Sequence, residues 1–155
     1  YDALVAPGDF SGDGKADLIT RDPAGALWLH TGDGTGSYAA PVQIGHGWQT
    51  YDALVAPGDF SGDGKADLIA RDPAGALWLY KGDGAGSYAA RAQIGTGWQT
   101  YTALTSPGDL DGNGSADLTG RDTAGNLWFF QGDGAGSYAP RTRIGYGYPA
   151  GELLF

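Results

Sequence analysis

An acidic loop with oxygen-bearing side chains at alternate positions occurs three times in the chain. The loops read D-F-S-G-D-G-K-A-D, the same nine residues again, and D-L-D-G-N-G-S-A-D. Calcium takes roughly six to eight oxygen ligands, and calcium-binding loops supply them at alternate positions, with a glycine where the chain turns sharply. The spacing therefore predicts about one Ca²⁺ per loop, with a backbone carbonyl as the ligand at the seventh position.

The predicted calcium ligands occupy positions 1, 3, 5, 7 and 9 of each loop. They are Asp9, Ser11, Asp13, Lys15 and Asp17 in the first loop, Asp59, Ser61, Asp63, Lys65 and Asp67 in the second, and Asp109, Asp111, Asn113, Ser115 and Asp117 in the third. An EF-hand would carry a glutamate at position 12, where this chain has Thr20, Ala70 and Gly120. The loop is thus EF-like in a β setting and not an EF-hand.

A solvated acidic turn is the alternative interpretation of each loop. The substitutions in the third loop exchange one oxygen donor for another (serine for aspartate, aspartate for asparagine). This pattern favours calcium over a simple turn. The third loop replaces a hydroxyl donor with Asp111 and a lysine with Ser115, so we expect it to bind calcium most tightly.

The loops recur because the chain consists of repeated units. Residues 1–50 and 51–100 are identical at 43 of 50 positions, and residues 51–100 and 101–150 at 29 of 50. Residues 151–155 align with the start of a unit, and we interpret them as the truncated beginning of a fourth. The whole chain, 1–155, is therefore expected to be one repeat domain.

Each unit has the pattern of four short strands. In the first unit they are expected at 1–7, 18–21, 26–30 and 38–44, with a turn between the second and third. The third strand is apolar on both faces, because Leu27 and Leu29 alternate with Trp28. A strand covered on one face only would alternate with polar residues. The fold class is predicted to be all-β, with three β-propeller blades of four antiparallel strands per chain.

Three blades are too few for a closed propeller, which usually has about four to eight. We expect completion by oligomerisation, with two chains forming a six-bladed homodimer. The alternative is a β-trefoil-like closed fold, which also contains three units of four strands.

Charge and composition exclude several classes of partner. The net charge is −9, and nine of the 18 acidic residues are loop aspartates, so nucleic acid is not an expected ligand. There is no cysteine, and no apolar run long enough for membrane insertion. Millimolar extracellular calcium would suit loops of this kind, so we expect secretion.

Aromatic residues at the unit junctions are candidates for ligand binding. Trp48, Trp98 and Tyr148 follow glycines and could stack on a sugar ring, or they could pack between blades as core. Three tryptophans in the third strands are expected in the core: Trp28, Trp78 and Trp128.

Two further groups of charged residues recur in every unit. Asp33, Asp83 and Asp133 lie between glycines, where turn chemistry is favoured over binding to sugar hydroxyls. Arg21, Arg71 and Arg121 each precede an aspartate, where a structural ion pair or turn bond is favoured over ligand recognition.

Catalysis is not expected. The two histidines, His30 and His46, lie in one unit, there is no cysteine nucleophile, and Glu152 is the one glutamate. Acid–base chemistry would have to use aspartates already assigned to calcium.

The loop followed by A-D-L and then by R-D-P-A-G-A-L-W-L resembles FG-GAP/VCBS-type repeats, the units of integrin-α-like β-propellers. It is also similar to Gly- and Trp-rich repeat arrays appended to secreted bacterial hydrolases. The resemblance implies calcium bound by the loop residues named above, between blade strands. It also implies a multivalent, lectin-like module that recognises carbohydrate or a cell-wall polymer. The alternative is a structural or protein-interaction (adhesion) module accessory to a secreted enzyme.

Overall fold

The computed structural model describes residues 1–149 and forms three separate four-stranded antiparallel sheets. The first sheet contains β1 (Ala3–Gly8), β2 (Asp17–Arg21), β3 (Leu27–His30) and β4 (Val42–Gly45). The second contains β5 (Ala53–Gly58), β6 (Asp67–Arg71), β7 (Leu77–Tyr80) and β8 (Ala92–Gly95). The third contains β9 (Tyr101–Gly108), β10 (Asp117–Asp122), β11 (Leu127–Phe130) and β12 (Thr142–Gly145). We call each sheet a blade and number the blades 1 to 3.

The expectation of an all-β fold with four antiparallel strands per unit is confirmed. Two local features differ from the predicted strand pattern. The fourth strand begins at Val42 and not at Tyr38, because Tyr38 instead forms an isolated bridge with Gly32. Short 3₁₀ helices, Trp48–Thr50 and Trp98–Thr100, connect the blades.

A tight turn joins the second and third strands of each blade. In blade 1 the backbone N–H of Gly25 donates to the carbonyl of Asp22, and the Asp22 carboxylate accepts from the N–H of Ala26 at 3.0 Å. Gly25 has a φ of +84°, which favours glycine because it has no Cβ. The turn fixes the register in which Arg21 pairs with Leu27.

The blades stack side by side with their first strands adjacent. Strands β1, β5 and β9 are neighbours, and Leu4, Leu54 and Leu104 are among the residues that line a central cavity of about 280 Å³. In residues 1–149, each strand pairs within its own blade. A β-trefoil would need strands from different units to pair in a shared barrel, so the arrangement is one of stacked blades.

The hydrophobic core lies between the blades. On β7, Leu77 and Leu79 pack against blade 3, whereas Trp78 and Tyr80 face the core shared with blade 1. The prediction that the third strand is covered on both faces is confirmed for blade 2, whereas β3 and β11 each pack against one blade of residues 1–149. Because a sheet of this kind buries apolar area mainly through its neighbours, each blade depends on the adjacent one for stability.

Residues 150–155 lie outside the described part of the chain, and with them the interpretation of 151–155 as the start of a fourth unit. Within residues 1–149, the helices are too short to cross a membrane.

Candidate functional site

The first aspartate of each acidic loop organises the loop around its own side chain. Asp9 Oδ1 accepts the N–H of Gly12 at 2.7 Å, and Oδ2 accepts that of Gly14 at 2.8 Å. Both glycines have φ near +80°. Asp59 and Asp109 make the same contacts in the other loops. The sequence D-x-x-G-x-G thus curls the backbone around a carboxylate, which places oxygen atoms at the loop centre.

The last aspartate anchors the loop to the third strand. Asp17 is 2% exposed; its Oδ2 accepts the N–H of Phe10 at 2.9 Å, and its Oδ1 accepts the N–H of Gly32 at 3.0 Å. Asp67 and Asp117 repeat these contacts. Burial raises the pKa of Asp67, and its backbone N–H bonds partly oppose that shift. A cation beside this buried carboxylate would favour its charged form.

The third loop brings its three carboxylates together. Asp109, Asp111 and Asp117 each offer a ligand atom, and these atoms lie within 4.8 Å of one another. The side-chain amide N–H of Gln131 donates to Asp111 Oδ2 and so helps to position this carboxylate. Gln131 lies on the loop after β11, outside the acidic motif, so the motif does not indicate it.

The first loop has an internal counterion. Lys15 Nζ lies 3.4 Å from Asp13 Oδ2 in an exposed ion pair. Ser115 replaces this lysine in the third loop. The described residues contain no second group of three acidic or histidine ligand atoms comparable to that of the third loop. The third loop therefore has a closer group of carboxylates than the other two loops, and it lacks their lysine.

Serine hydroxyls in the first two loops fit a calcium ligand set. Within residues 1–149, Ser11 Oγ and Ser61 Oγ are buried without a hydrogen-bond partner. A buried polar atom without a partner is unfavourable by about 1–3 kcal/mol. Both serines occupy position 3 of their loops, so coordination of a cation would satisfy them.

Trp48 packs in the junction between blades 1 and 2. Its ring centroid lies 4.5 Å from that of Tyr80, its Nε1 donates to Tyr88 Oη at 3.0 Å, and it is 3% exposed. Gly47, with a φ of +81°, directs the chain into the 3₁₀ helix that turns the ring inward. The expectation that Trp48 offers an exposed stacking surface is therefore wrong, and the alternative of an inter-blade core residue is the one observed.

Trp98 has the same position between blades 2 and 3. It is 2% exposed, its ring lies 4.3 Å from that of Phe130, and its Nε1 donates to Tyr138 Oη at 2.7 Å. The exposed-surface expectation is wrong for Trp98 as well. Tyr148, the equivalent residue after blade 3, is 38% exposed, and no blade of residues 1–149 lies over it.

An arginine lies at the outer rim of each junction. The Arg91 guanidinium carbon is 3.9 Å from the centroid of the Trp78 ring, and Nη1 donates to the Tyr51 hydroxyl. Tyr51 Oη in turn lies 2.5 Å from Tyr80 Oη. We call Trp48, Tyr51, Tyr80, Tyr88, Trp78 and Arg91 the first junction cluster.

The second junction repeats this arrangement with one chemical difference. Arg141 lies 4.0 Å over Trp128 and donates to Tyr101 Oη at 2.8 Å. Phe130 replaces the tyrosine of the first junction and so removes one hydroxyl. In the sequence, these two arginines could be noticed only because they occupy the same position of the second and third units, where the first unit has Pro41.

The tryptophans expected in the core are half-buried. Each donates its indole N–H to the aspartate of the preceding turn, as Trp128 does to Asp122 Oδ2 at 2.8 Å. This bond is the largest cause of the lowered pKa of Asp122, which is about 2. Trp28 and Trp78 make the same bond to Asp22 and Asp72.

The recurrent arginines of the second strands are structural, but their partners are not the adjacent aspartates. Arg21 Nε donates to Asp2 Oδ1 at 2.7 Å, and its Nη1 donates to the carbonyls of Trp48 and Tyr51. Arg71 makes the equivalent bonds one unit later. Each arginine therefore connects its own blade to the start of the next.

The aspartates between glycines take part in turns, as expected. Asp33 Oδ1 accepts the N–H groups of Thr35 and Ser37, and these bonds lower its pKa. Asp83 and Asp133 accept equivalent bonds.

Stacked four-stranded blades with an acidic loop after each first strand define a class of repeat protein. The sequence model of the FG-GAP-like repeat matches residues 9–70 and 59–119, and the chain belongs to that family. No curated protein matches the chain significantly.

Two solved structures are similar to the chain in fold. One is a lectin from Agrocybe aegerita, described as specifically recognising non-reducing terminal N-acetylglucosamine. Its TM-score to this chain is 0.65 and the sequences are 22% identical, and the match covers 91% of this chain and 37% of the lectin. The other is the BP39L lectin from Burkholderia pseudomallei. Its TM-score to this chain is 0.66 and the sequences are 21% identical, and the match covers 96% of this chain and 43% of the lectin. The chain thus spans about two fifths of the length of these lectins.

Proposed function

We propose that this protein is a secreted, calcium-binding, carbohydrate-recognition module with several weak sites, one at each blade junction. The observation that carries the proposal is the repeated junction rim. An exposed arginine there lies over a half-buried tryptophan and contacts a tyrosine hydroxyl. The likeness in fold to two lectins supports the same proposal.

The rim supplies the two kinds of contact that a sugar needs. Arg91 offers further N–H donors to hydroxyl groups, and the Tyr51 phenol oxygen lies beside it. The half-buried Trp78 ring under the guanidinium adds aromatic surface with little conformational freedom to lose. Arg141, Tyr101 and Trp128 play these parts at the second junction. Two weak sites on one rigid body can bind a polymer with an avidity that exceeds either affinity.

The ligands that would hold calcium are the loop residues predicted from the sequence, with the third loop as the best-formed set. Bound calcium would neutralise the carboxylates and fix the loop backbone. The loop backbone itself supports the junction, because the carbonyl of Phe10 accepts the N–H of Gly86 from the next blade at 3.1 Å. We therefore assign calcium a stabilising role, with no chemical step.

The test is a glycan array that includes N-acetylglucosamine-terminated and cell-wall glycans, followed by titration of the best ligand. The double variant Arg91→Ala/Arg141→Ala should lose at least about tenfold in affinity, because charge-assisted hydrogen bonds contribute roughly 1.5–3 kcal/mol each. Lys81→Ala is the control, since it removes an exposed positive charge whose side chain makes no hydrogen bond or ring contact with Trp78 or Trp128.

Unchanged glycan binding by the double variant would overturn the assignment to the junction rim. If the wild-type protein binds no glycan but binds another protein, the result would favour the alternative of a protein-interaction module accessory to a secreted enzyme. Tyr80→Phe gives the first junction the composition of the second, so it also tests whether the extra hydroxyl changes ligand preference.

A further inference from the structure

At each of the two internal junctions, a phenylalanine side chain of one blade (the plug) packs into a recess of the next blade (the socket). Phe10 and Phe60, each 1% exposed, extend from their acidic loops into the next blade. A Cβ added at Gly82 would lie 3.3 Å from Phe10 Cε2, and one at Gly132 would lie 3.6 Å from Phe60 Cε2. The phenylalanine rings therefore pack close to these glycines, although the atom nearest to an added Cβ is the carbonyl oxygen of Ala66 or Ala116 in the same blade.

A backbone hydrogen bond accompanies each plug. Gly86 N–H donates to the carbonyl of Phe10, and Gly136 N–H donates to that of Phe60, both at 3.1 Å. The indole of Trp48 or Trp98 then bonds to the tyrosine hydroxyl of the following blade. The chain thus contains two copies of one interface, formed between different pairs of blades.

The first blade presents the same socket, and no side chain of residues 1–149 fills it. A cavity of about 240 Å³ is lined by Ala16, Gly32, Gly34, Gly36, Ser37 and Tyr38, the counterparts of the socket residues in blades 2 and 3. The aromatic side chains around it are exposed, Tyr38 at 52% and Tyr1 at 67%.

The third blade presents the matching plug. Leu110, at the position of Phe10 and Phe60, is 52% exposed. Tyr148, at the position of Trp48 and Trp98, is 38% exposed. Blades 1 and 3 therefore carry the two halves of the interface that the described residues already form twice.

We infer that a second copy of this chain docks head to tail, with Leu110 of one copy seated in the blade 1 socket of the next, and that docking completes a third junction. That junction would contain Tyr148 from one copy and Tyr1, His30 and Tyr38 from the other. The second half is already assembled, since the His30 ring lies 5.9 Å from that of Tyr1 and 6.3 Å from that of Tyr38 in edge contacts.

The occupant is a copy of this chain because the docking continues an interface that this sequence already forms. A head-to-tail contact of this kind closes into a ring when the rotation permits. Two copies give six blades, within the range of about four to eight found in closed propellers, whereas three copies would exceed it. The expected assembly is a dimer with two composite junctions.

The docking does not rest on the proposed function. Sedimentation velocity and native mass spectrometry of the full chain, over a wide concentration range, measure the docking alone. The expected species has twice the 15.9 kDa mass of the chain. A wild-type protein that stays monomeric throughout would overturn the inference.

Three variants make this test specific. Leu110→Asp should abolish the dimer without unfolding the chain, since Leu110 is exposed in the single chain. Leu110→Phe, which copies the internal plugs, should tighten the dimer by about tenfold. Val42→Asp is the control, because Val42 is 62% exposed on an outer strand and should leave the dimer intact. Unaltered assembly of Leu110→Asp would contradict the docking mode.

Calorimetry with the glycan found on the array separates the two proposals. The composite junction has Pro41 in place of the rim arginine, so the dimer and Leu110→Asp should each bind two sugars per chain. A third sugar per chain in the dimer would contradict the assignment of binding to the rim arginines. A dimer that binds no sugar would support the docking and count against the proposed function.

Discussion

The third acidic loop differs from the other two in the charges that would surround a bound cation. It carries Asp111 where the others have serine, and Ser115 where they have lysine. The order of affinity among the loops stays a prediction, made from residue type at fixed loop positions. The hydrogen bond from Gln131 to Asp111 was not predictable from the sequence, because the fold brings together residues that are twenty positions apart.

We expect the double variant Asp111→Ser/Ser115→Lys to lower the affinity of the third loop for calcium by about tenfold, because it removes a carboxylate and adds an ammonium group. Isothermal titration of the calcium-free protein should then show the third loop as the weakest site and no longer the tightest, because Asn113 remains where the other loops have aspartate. Lys65→Ser is the matched change in the opposite direction and should tighten the second loop. An identical wild-type and double-variant isotherm would contradict the ranking.

The burial of Trp48 and Trp98 shows the limit of reasoning from single residues. The motif G-x-G-W marks a turn but does not say to which side the ring points. That direction comes from the left-handed φ of Gly47 and Gly97, which starts a 3₁₀ helix, and from the position of the next blade.

At the scale of the strands, the sequence predicted the first three of each unit from their alternating apolar residues. The fourth starts later than expected because Tyr38 closes the preceding loop against Gly32, so residues 39–41 serve as a connection. The arginine at the end of the second strand was expected to be structural. Its hydrogen bonds to carbonyls 27 and 30 residues later in the chain depend on how the blades stack, so they were not predictable.

Arg71→Ala should destabilise the protein by about 3 kcal/mol, because it leaves two buried carbonyls, those of Trp98 and Tyr101, without their donor. Asp52→Ala should reduce stability by less than about 1 kcal/mol, since the Asp52 side chain is partly exposed and its ion pair is screened by solvent. Urea unfolding of both variants gives the comparison. Equal losses of unfolding free energy would show that the ion pair with Asp52, and not the hydrogen bonds from Arg71 to the next blade, stabilises the protein.

For the whole molecule, the sequence predicted the all-β stacked architecture because the repeat and the two-faced third strand both require neighbouring blades. Repetition also multiplies small effects. The turn aspartates Asp22, Asp72 and Asp122 all have a lowered pKa, mainly because each accepts an indole N–H from a tryptophan.

These three carboxylates should make stability depend on acid pH. The folded state binds protons less readily than the unfolded state, whose aspartates titrate near the ordinary value of 3.8. Their stabilisation is therefore complete above about pH 4 and is lost as the pH falls toward 2. The triple variant Asp22→Asn/Asp72→Asn/Asp122→Asn should flatten this part of the profile, measured by urea unfolding at a series of pH values. An unchanged slope between pH 4 and pH 2 would assign the acid sensitivity to other carboxylates.

Strand pairing confined to single units has a consequence for how such a chain can change over generations. Within the described residues, every ladder begins and ends inside one fifty-residue unit, and every junction joins two consecutive units. An in-frame duplication of one unit therefore adds a complete sheet and one more junction without interrupting an existing ladder. The 43 identical positions between the first two units are what recent copying of this kind would leave. Growth and shortening by whole units are open to this lineage, whereas insertion of part of a unit would leave a strand without its ladder partner.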